Sequence, residues 1–323
     1  MTSLLVLAAP MAALALSVTE TPIPLNRGWQ LQDAAKVPQG GAEVSSATYS
    51  AAGWFAATVP GTALTTLVNN HIYPEPLYGE NNRPEVIPES LDRESFWYRT
   101  QIRVPRSYKG QHVWLNFEGI NYSSTVWVNG AQVGATRGAF IRGIFDITAN
   151  VTPGQTAIVA VLVAPQPHPG DSHEHTLRGG VGPNGGESAI DGPTFLCTIG
   201  WDWIPAIRDR DTGIWQKVFL SATGPVRVKD PLVTTDLPLP KTDSADIAIQ
   251  ATIENVSDAP VTGELAGGIG DVSFGKPITL AAHSSQQISF DPKTTASLHF
   301  DHPRLWWPNG YGEQPLYKLH LAF

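Results

Sequence analysis

Apolar and polar positions alternate with a period of two along much of the chain, the pattern of strands with one buried face. Phe96-Trp97-Tyr98-Arg99-Thr100-Gln101-Ile102-Arg103-Val104 begins aromatic and then alternates. Val113-Trp114-Leu115-Asn116-Phe117 follows after a Lys109-Gly110 turn. Ser124-Thr125-Val126-Trp127-Val128 is closed by Asn129-Gly130, and Gln132-Val133 opens a return strand. Asn-Gly favours a tight hairpin because both residues tolerate positive φ. Ile158-Val159-Ala160-Val161-Leu162-Val163 is apolar throughout and predicts a strand buried on both faces. Helical spacing of apolar residues is confined to Thr62–Asn70, after Pro60-Gly61, and predicts one short helix packed on the sheets. Tyr73–Ser90 is rich in Pro, Asn and Glu and reads as a long ordered loop. Pro165–Pro193 is a second, glycine-rich one. Loops of this length in a compact domain are functional or disordered.

Thr223-Gly224-Pro225 marks a boundary. Beyond it Val226-Arg227-Val228 restarts a strand pattern, and Ile247-Ala248-Ile249-Gln250-Ala251-Thr252-Ile253 alternates cleanly. Asn255-Val256-Ser257-Asp258 reads as a turn, with Pro277–Leu280 and Gln287–Phe290 as further strands. The prediction is an all-β chain: a jelly-roll β-sandwich over residues 22–223, then an immunoglobulin-like β-sandwich over 226–323. Leu316–Phe323 still carries a strand pattern, so the second domain is expected to be cut before its last strand.

Composition narrows the function. The 30 glycines and 27 prolines suit many turns and short strands. A formal net charge of -8 offers no basic face to displace counterions from nucleic acid, so no nucleic-acid partner is expected. Cys197 is the sole cysteine, which excludes an intramolecular disulfide and a Cys-rich zinc site. It reads as a small buried hydrophobe, with a catalytic thiol as the alternative. Leu4–Leu16 is apolar but too short to span a bilayer, and it ends in Ala13-Leu14-Ala15, a small-x-small cleavage pattern. Residues 1–17 are therefore read as a signal peptide, although no Lys or Arg precedes the apolar run; a buried strand is the other reading. The expected location is secreted or periplasmic, with no membrane partner.

Several segments in order resemble glycoside hydrolase family 2, most closely its β-mannosidase and exo-β-glucosaminidase branch. Val59-Pro60-Gly61-Thr62 and Tyr73-Pro74-Glu75-Pro76-Leu77-Tyr78-Gly79 resemble that branch's entry loop. Phe96-Trp97-Tyr98-Arg99, Phe117-Glu118-Gly119-Ile120, Val126-Trp127-Val128-Asn129-Gly130 and Phe145-Asp146-Ile147-Thr148 are similar to its sugar-binding domain. Gly200-Trp201-Asp202-Trp203 leads to Gly213-Ile214-Trp215 in the same way. Leu305-Trp306-Trp307-Pro308-Asn309-Gly310-Tyr311-Gly312 resembles the end of the branch's immunoglobulin-like domain.

Trp201, Asp202 and Trp203 are the candidate substrate-binding residues. Indole stacks on the C–H face of a sugar, and a carboxylate accepts from its hydroxyls. The resemblance implies that Asp202 accepts from the terminal sugar while Trp201 and Trp203 shape the subsite. The alternative is two core tryptophans and a turn-capping Asp202. Trp306 and Trp307 are expected to pack the second domain or its contact with a following barrel. His173-Glu174-His175 could supply two metal ligands, but a catalytic zinc wants three and no third is evident, so a solvated loop is expected and no metal or cofactor is assigned. Arg208, Asp209, Arg210 and Asp211 read as a surface charge cluster, or as lining of a junction with the barrel.

A retaining glycosidase needs two carboxylates about 5–5.5 Å apart. The family places both as glutamates on a (β/α)₈ barrel, which needs about 250 residues. No alternating strand–helix repeat is left after the two sandwiches, and Glu174, Glu187 and Glu254 are not in the family's catalytic contexts. No catalytic residue is therefore named. The resemblance implies the N-terminal ancillary part of a retaining exo-acting β-glycosidase, inactive without the barrel as its intramolecular partner. Its ligand would be a terminal β-linked sugar, mannoside first and glucosaminide next. The competing readings are a stand-alone carbohydrate-binding module and a structural pair of sandwiches.

Overall fold

A computed structural model describes residues 21–83, 85–168 and 207–323, and the backbone of 170–171 and 187–188. The chain divides into two compact units, Glu20–Ala222 and, after it, Thr223–Phe323. The all-β architecture predicted from the periodicity is observed, as a jelly-roll-type sandwich followed by an immunoglobulin-like one.

The first unit stacks two sheets. Strands β1 (Ile23–Pro24), β2 (Gln30–Asp33), β3 (Phe55–Ala56), β4 (Phe96–Arg103), β5 (His112–Phe117), β6 (Ser123–Val128), β7 (Ala131–Arg137), β8 (Gly143–Asp146) and β9 (Thr156–Ala164) come in chain order. The short pair β10 (Gly170–Asp171) and β11 (Glu187–Ser188) precedes β12 (Val218–Thr223). One sheet has the order β1-β12-β5-β8 and the other β3-β2-β4-β9-β6-β7. Between them lie Tyr98, Val126, Val159, Val161 and Val163 from the larger sheet and Leu115, Phe117 and Leu220 from the smaller.

β9 is central in its sheet, with Val161 opposite both Tyr98 and Val126. Its outer face is also covered: Trp97, Trp127 and Ala160 pack under Val37, Val44, Tyr49 and Trp54. Arg99 ties this cover down, donating from Nε to the Val44 carbonyl at 2.9 Å and from Nη2 to that of Ser46 at 3.1 Å. This second layer is the reason an apolar run without alternation forms a strand at 158–163.

The predicted helix is α2 (Ala63–Asn69), whose Thr62 cap accepts from the Thr65 N–H at 3.2 Å while Ala63, Leu64 and Leu67 face the core. It is not the sole helix: α1 (Gly41–Val44) lies in the covering layer. Four residues are too few to show a period, and Gly41 is there because a Cβ would fall 2.2 Å from the Trp127 ring. At the β6–β7 turn Asn129 and Gly130 have φ of 49° and 90°, as the Asn-Gly pair predicts. Asn129 also donates from Nδ2 to the Asn150 carbonyl and accepts from the Ile158 N–H, both at 2.8 Å.

The second unit contains β13 (Val226–Asp236), β14 (Ser244–Asn255), β15 (Val261–Ile269), β16 (Val272–Leu280), β17 (Ser285–Phe290), β18 (His299–Asp301) and β19 (Leu319–Ala322). β14 lies between β13 and β17 and also pairs with β18; the facing sheet is β16-β15-β19. Ile249, Ala251 and Ile253 alternate inward and meet Leu265, Phe274, Ile278 and Phe290. Asn255 is fully buried and organises the predicted turn, donating to the carbonyls of Ala259 and Ala281 at 2.8 and 2.9 Å and accepting from the Ser257 N–H at 3.0 Å.

Trp306 and Trp307 do not join this core, contrary to the first expectation for them: they are 58% and 44% exposed. They sit on a loop closed by the Trp307 N–H on the Glu313 carbonyl at 2.9 Å. Trp306 borders an apolar groove with Ile247, Phe300 and Leu305. Among the described residues no helix is long and apolar enough to cross a membrane.

Candidate functional site

Trp201, Asp202 and Trp203 lie outside the described residues, as do Cys197 and His173-Glu174-His175. Ile207 and the residues after it, up to Ala222, belong to the first sandwich. The turn that follows is anchored through charge.

The surface position expected for Arg208, Asp209 and Arg210 is overturned: they are 0%, 0% and 1% exposed. A buried charge is tolerated only when paired and hydrogen-bonded, and each has partners drawn from distant segments. Arg208 donates to Glu89 Oε1 at 2.9 Å and to the Asn82 carbonyl. Arg210 donates to the Ile207 carbonyl at 3.0 Å and pairs at 3.5 Å with Asp92, itself 1% exposed. Asp209 accepts from the Leu64 N–H at 2.6 Å, in the first turn of α2, and from the Asp211 N–H at 2.9 Å. The run therefore ties α2 and the 82–92 segment to the 207–211 turn in one cluster.

The backbone completes the clamp. Asn121 Nδ2 donates to the carbonyls of Arg210 and Asp211 at 2.8 and 3.0 Å, and Asn121 exchanges main-chain hydrogen bonds with Gly213. The N–H groups of Gly61 and Ala63 reach the carbonyls of Ile214 and Thr212 at 2.9 and 2.8 Å. Arg210 and Asp211 take left-handed φ of 49° and 57°, and Gly213 has φ of 153°. A Cβ on Gly213 would fall 2.7 Å from the Gly61 carbonyl oxygen and from Thr62 Cα, so only glycine fits.

Burial pushes the Asp209 carboxyl up to about 7; the charge of Asp211 adds to this, and hydrogen bonds from the Leu64 N–H, the Thr62 hydroxyl and the Asp211 N–H oppose it. Burial also raises Asp211, with Arg210 pulling the other way. Arg210 is lowered by burial against the attraction of Asp92 and Glu89. The Tyr98 phenol is raised by burial and then by Asp209.

Beside the clamp is a cleft of about 240 Å³. Its polar lining is Thr62, Thr65, Asn69, Glu75 and Asp211, and Leu77 and Ile207 contribute apolar surface. The entry-loop resemblance over 59–62 and 73–79 and the charge run at 208–211 mark its two walls in the sequence, but nothing local brings them together. Gly213 beside four successive charges was the available signal, since a required glycine implies close packing there.

Two family profiles match the chain in succession: "Glycosyl hydrolase 2 galactose-binding domain-like" over residues 29–216 and "Glycosyl hydrolases family 2" over 226–323. An exo-β-D-glucosaminidase of Streptomyces avermitilis is 32% identical over 299 residues, covering 91% of this chain and 30% of that protein. A mannosylglycoprotein endo-β-mannosidase of Lilium longiflorum is 32% identical over 317 residues, covering 92% and 32%. The solved exo-chitosanase of Amycolatopsis orientalis superposes with a TM-score of 0.73 at 26% identity, covering 94% of this chain and 32% of that one. The chain thus spans about a third of the length of these relatives.

Proposed function

Because the chain belongs to glycoside hydrolase family 2, we propose that it is the ancillary two-sandwich part of a retaining, exo-acting β-glycosidase that releases terminal β-mannosyl or β-glucosaminyl residues. The observation that carries this is the succession of the two family profiles over 29–216 and 226–323. The names of the relatives support the two sugars. In this reading the catalytic glutamates belong to a barrel outside these residues, and the chain contributes one wall of the sugar pocket. Asp202 accepts from hydroxyls of the terminal sugar, and Trp201 and Trp203 bound the subsite. The charged clamp at Arg208–Asp211 gives that segment a fixed base, as a positioned binding group requires. Residues 1–17 direct export, and the enzyme works in the periplasm or outside the cell.

The test begins with the coding sequence beyond codon 323, which should continue in frame into a barrel with two suitably placed glutamates. The continuous product should hydrolyse a p-nitrophenyl β-mannoside or β-glucosaminide, and Asp202→Ala should lower its kcat/KM by about 10²-fold or more. Turnover by residues 1–323 alone would refute the ancillary role, and an unrelated sequence downstream would refute the proposal and favour a carbohydrate-binding module. Export is checked by fractionating cells that express the chain with and without residues 1–17.

A further inference from the structure

An asparagine followed by glycine is open to a reaction that needs no enzyme. The backbone nitrogen of the glycine can attack the asparagine Cγ, and without a Cβ on the glycine nothing crowds that approach. Two such pairs lie among the described residues, Asn129-Gly130 and Asn309-Gly310, while Asn184-Gly185 lies outside them. Asn129 and Asn309 are both exposed, and both precede a glycine at positive φ, 90° at Gly130 and 85° at Gly310. Exposure and turn type therefore do not separate the two sites. Their hydrogen bonds do.

At the β6–β7 turn every group that the reaction uses is engaged. Asn129 Nδ2, which would have to leave, donates to the Asn150 carbonyl at 2.8 Å. Its Oδ1 accepts from the Ile158 N–H at 2.8 Å, and its own N–H reaches the Ile158 carbonyl at 3.0 Å. The nitrogen that would attack, that of Gly130, donates to the buried Ser45 Oγ at 2.9 Å. Asn309 differs at each of these points. It is the second residue of a turn closed by the Tyr311 N–H on the Pro308 carbonyl at 3.0 Å. Among the described residues no hydrogen bond holds the Asn309 amide or the Gly310 N–H. A Cβ built on Gly310 would meet nothing within 4 Å, so the space in which a ring would close is open.

We propose that Asn309 is a site of spontaneous deamidation in the folded protein, and that the fold protects Asn129 from the same reaction. The Gly310 nitrogen gives its proton to solvent and attacks Asn309 Cγ. The N–Cγ bond forms, the Cγ–Nδ2 bond breaks, and Nδ2 leaves as ammonia after taking a proton from solvent. The product is a five-membered succinimide. One water molecule then opens it at either carbonyl, giving aspartate or isoaspartate. Both products place a carboxylate in the loop that carries Trp306, Trp307 and Tyr311, the exposed aromatic residues of the second sandwich among those described. Isoaspartate also adds a methylene to the backbone of that loop, which is closed by the Trp307 N–H on the Glu313 carbonyl at 2.9 Å and by Gln314 Nε2 on the Trp307 carbonyl at 3.2 Å. The site is independent of any part the chain plays in hydrolysis.

The experiment is incubation of the whole 323-residue chain in mildly alkaline buffer, once folded and once unfolded in guanidinium chloride. Samples taken over time are digested, and the peptides around Asn129 and Asn309 are followed by mass spectrometry for conversion of amide to acid. In the folded chain Asn309 should react at least about tenfold faster than Asn129, because Asn129 reacts only from an opened turn in which several hydrogen bonds are broken. In denaturant the gap should close to within about threefold, because the protection belongs to the turn and not to the dipeptide. Labelling by an isoaspartyl methyltransferase should accompany the conversion at Asn309, since opening of a succinimide yields isoaspartate and direct hydrolysis of the amide does not. Equal rates at the two sites in the folded chain, a gap that survives denaturant, an Asn309 that stays intact while the unfolded chain reacts, or conversion without isoaspartate would overturn the proposal.

Discussion

Replacing Asp209 with asparagine should change how the stability of the first sandwich depends on pH. Asp209 is fully buried, and its carboxyl is raised from 3.8 to about 7. Below pH of about 4 both folded and unfolded chains hold the proton. As pH rises, the unfolded chain ionises first and the folded chain keeps its proton until about 7. Stability therefore falls with rising pH across that window and levels off above it. At about 1.4 kcal/mol per pH unit, the loss attributable to this group is about 4 kcal/mol. The Asp209→Asn side chain would lack the titration but keep one oxygen to accept from either Leu64 or Asp211. While Asp209 holds its proton the forfeited hydrogen bond is a neutral one, worth about 0.5–1.5 kcal/mol. The variant should thus be the less stable protein near pH 3.5, and should exceed the parent near pH 8. Urea unfolding followed by tryptophan fluorescence, at half-unit steps of pH, measures the difference. A difference constant to within about 1 kcal/mol from pH 4 to 8, or one that grows against the variant at high pH, would refute the account of a buried, proton-holding Asp209.

Gly213→Ala should destabilise the first sandwich by about 3 kcal/mol or more, seen as a lowered urea midpoint, because its Cβ meets the Gly61–Thr62 backbone and not a movable side chain. Arg210→Met should cost about 3–5 kcal/mol by the same measurement, since Asp92 stays buried after losing that partner. In the second sandwich Ile253→Ala should cost about 2–5 kcal/mol, as a fully buried side chain is truncated to a void. Trp306→Ala should change thermal stability there by no more than about 0.5 kcal/mol, because most of that ring faces solvent.

The strands and the division into two sandwiches were legible because sheets with one buried face write their burial into every second residue. β14 is the clearest case: its inward Ile249, Ala251 and Ile253 could be read off directly. The helical spacing of apolar residues over Thr62–Asn70 made α2 legible, whereas α1 has four residues and no period to read. The Arg208–Asp211 run misled because four adjacent charges suggest solvation. Their burial depends on Glu89, Asp92 and Leu64, each more than a hundred positions away, and no local pattern reports such partners. For Trp306 and Trp307 the first of the two expectations, packing within the second domain, misled in the opposite way, since two adjacent large apolar residues suggest a core. The cleft was illegible for the same reason as the clamp: its two walls meet only after the sandwich has closed.

The position of β12 bears on how the protein is made. It lies between β1 and β5 in its sheet, yet it is the last strand of the first sandwich to leave the ribosome. Translation at about 5–20 residues per second leaves tens of seconds between the appearance of β1 and that of the strand that joins it to the rest. From the emergence of β5 until β12 arrives, β5 presents an open edge that could pair with another nascent chain. Chaperone occupancy on translating ribosomes should accordingly rise after β5 emerges and fall sharply once Thr223 has cleared the exit tunnel.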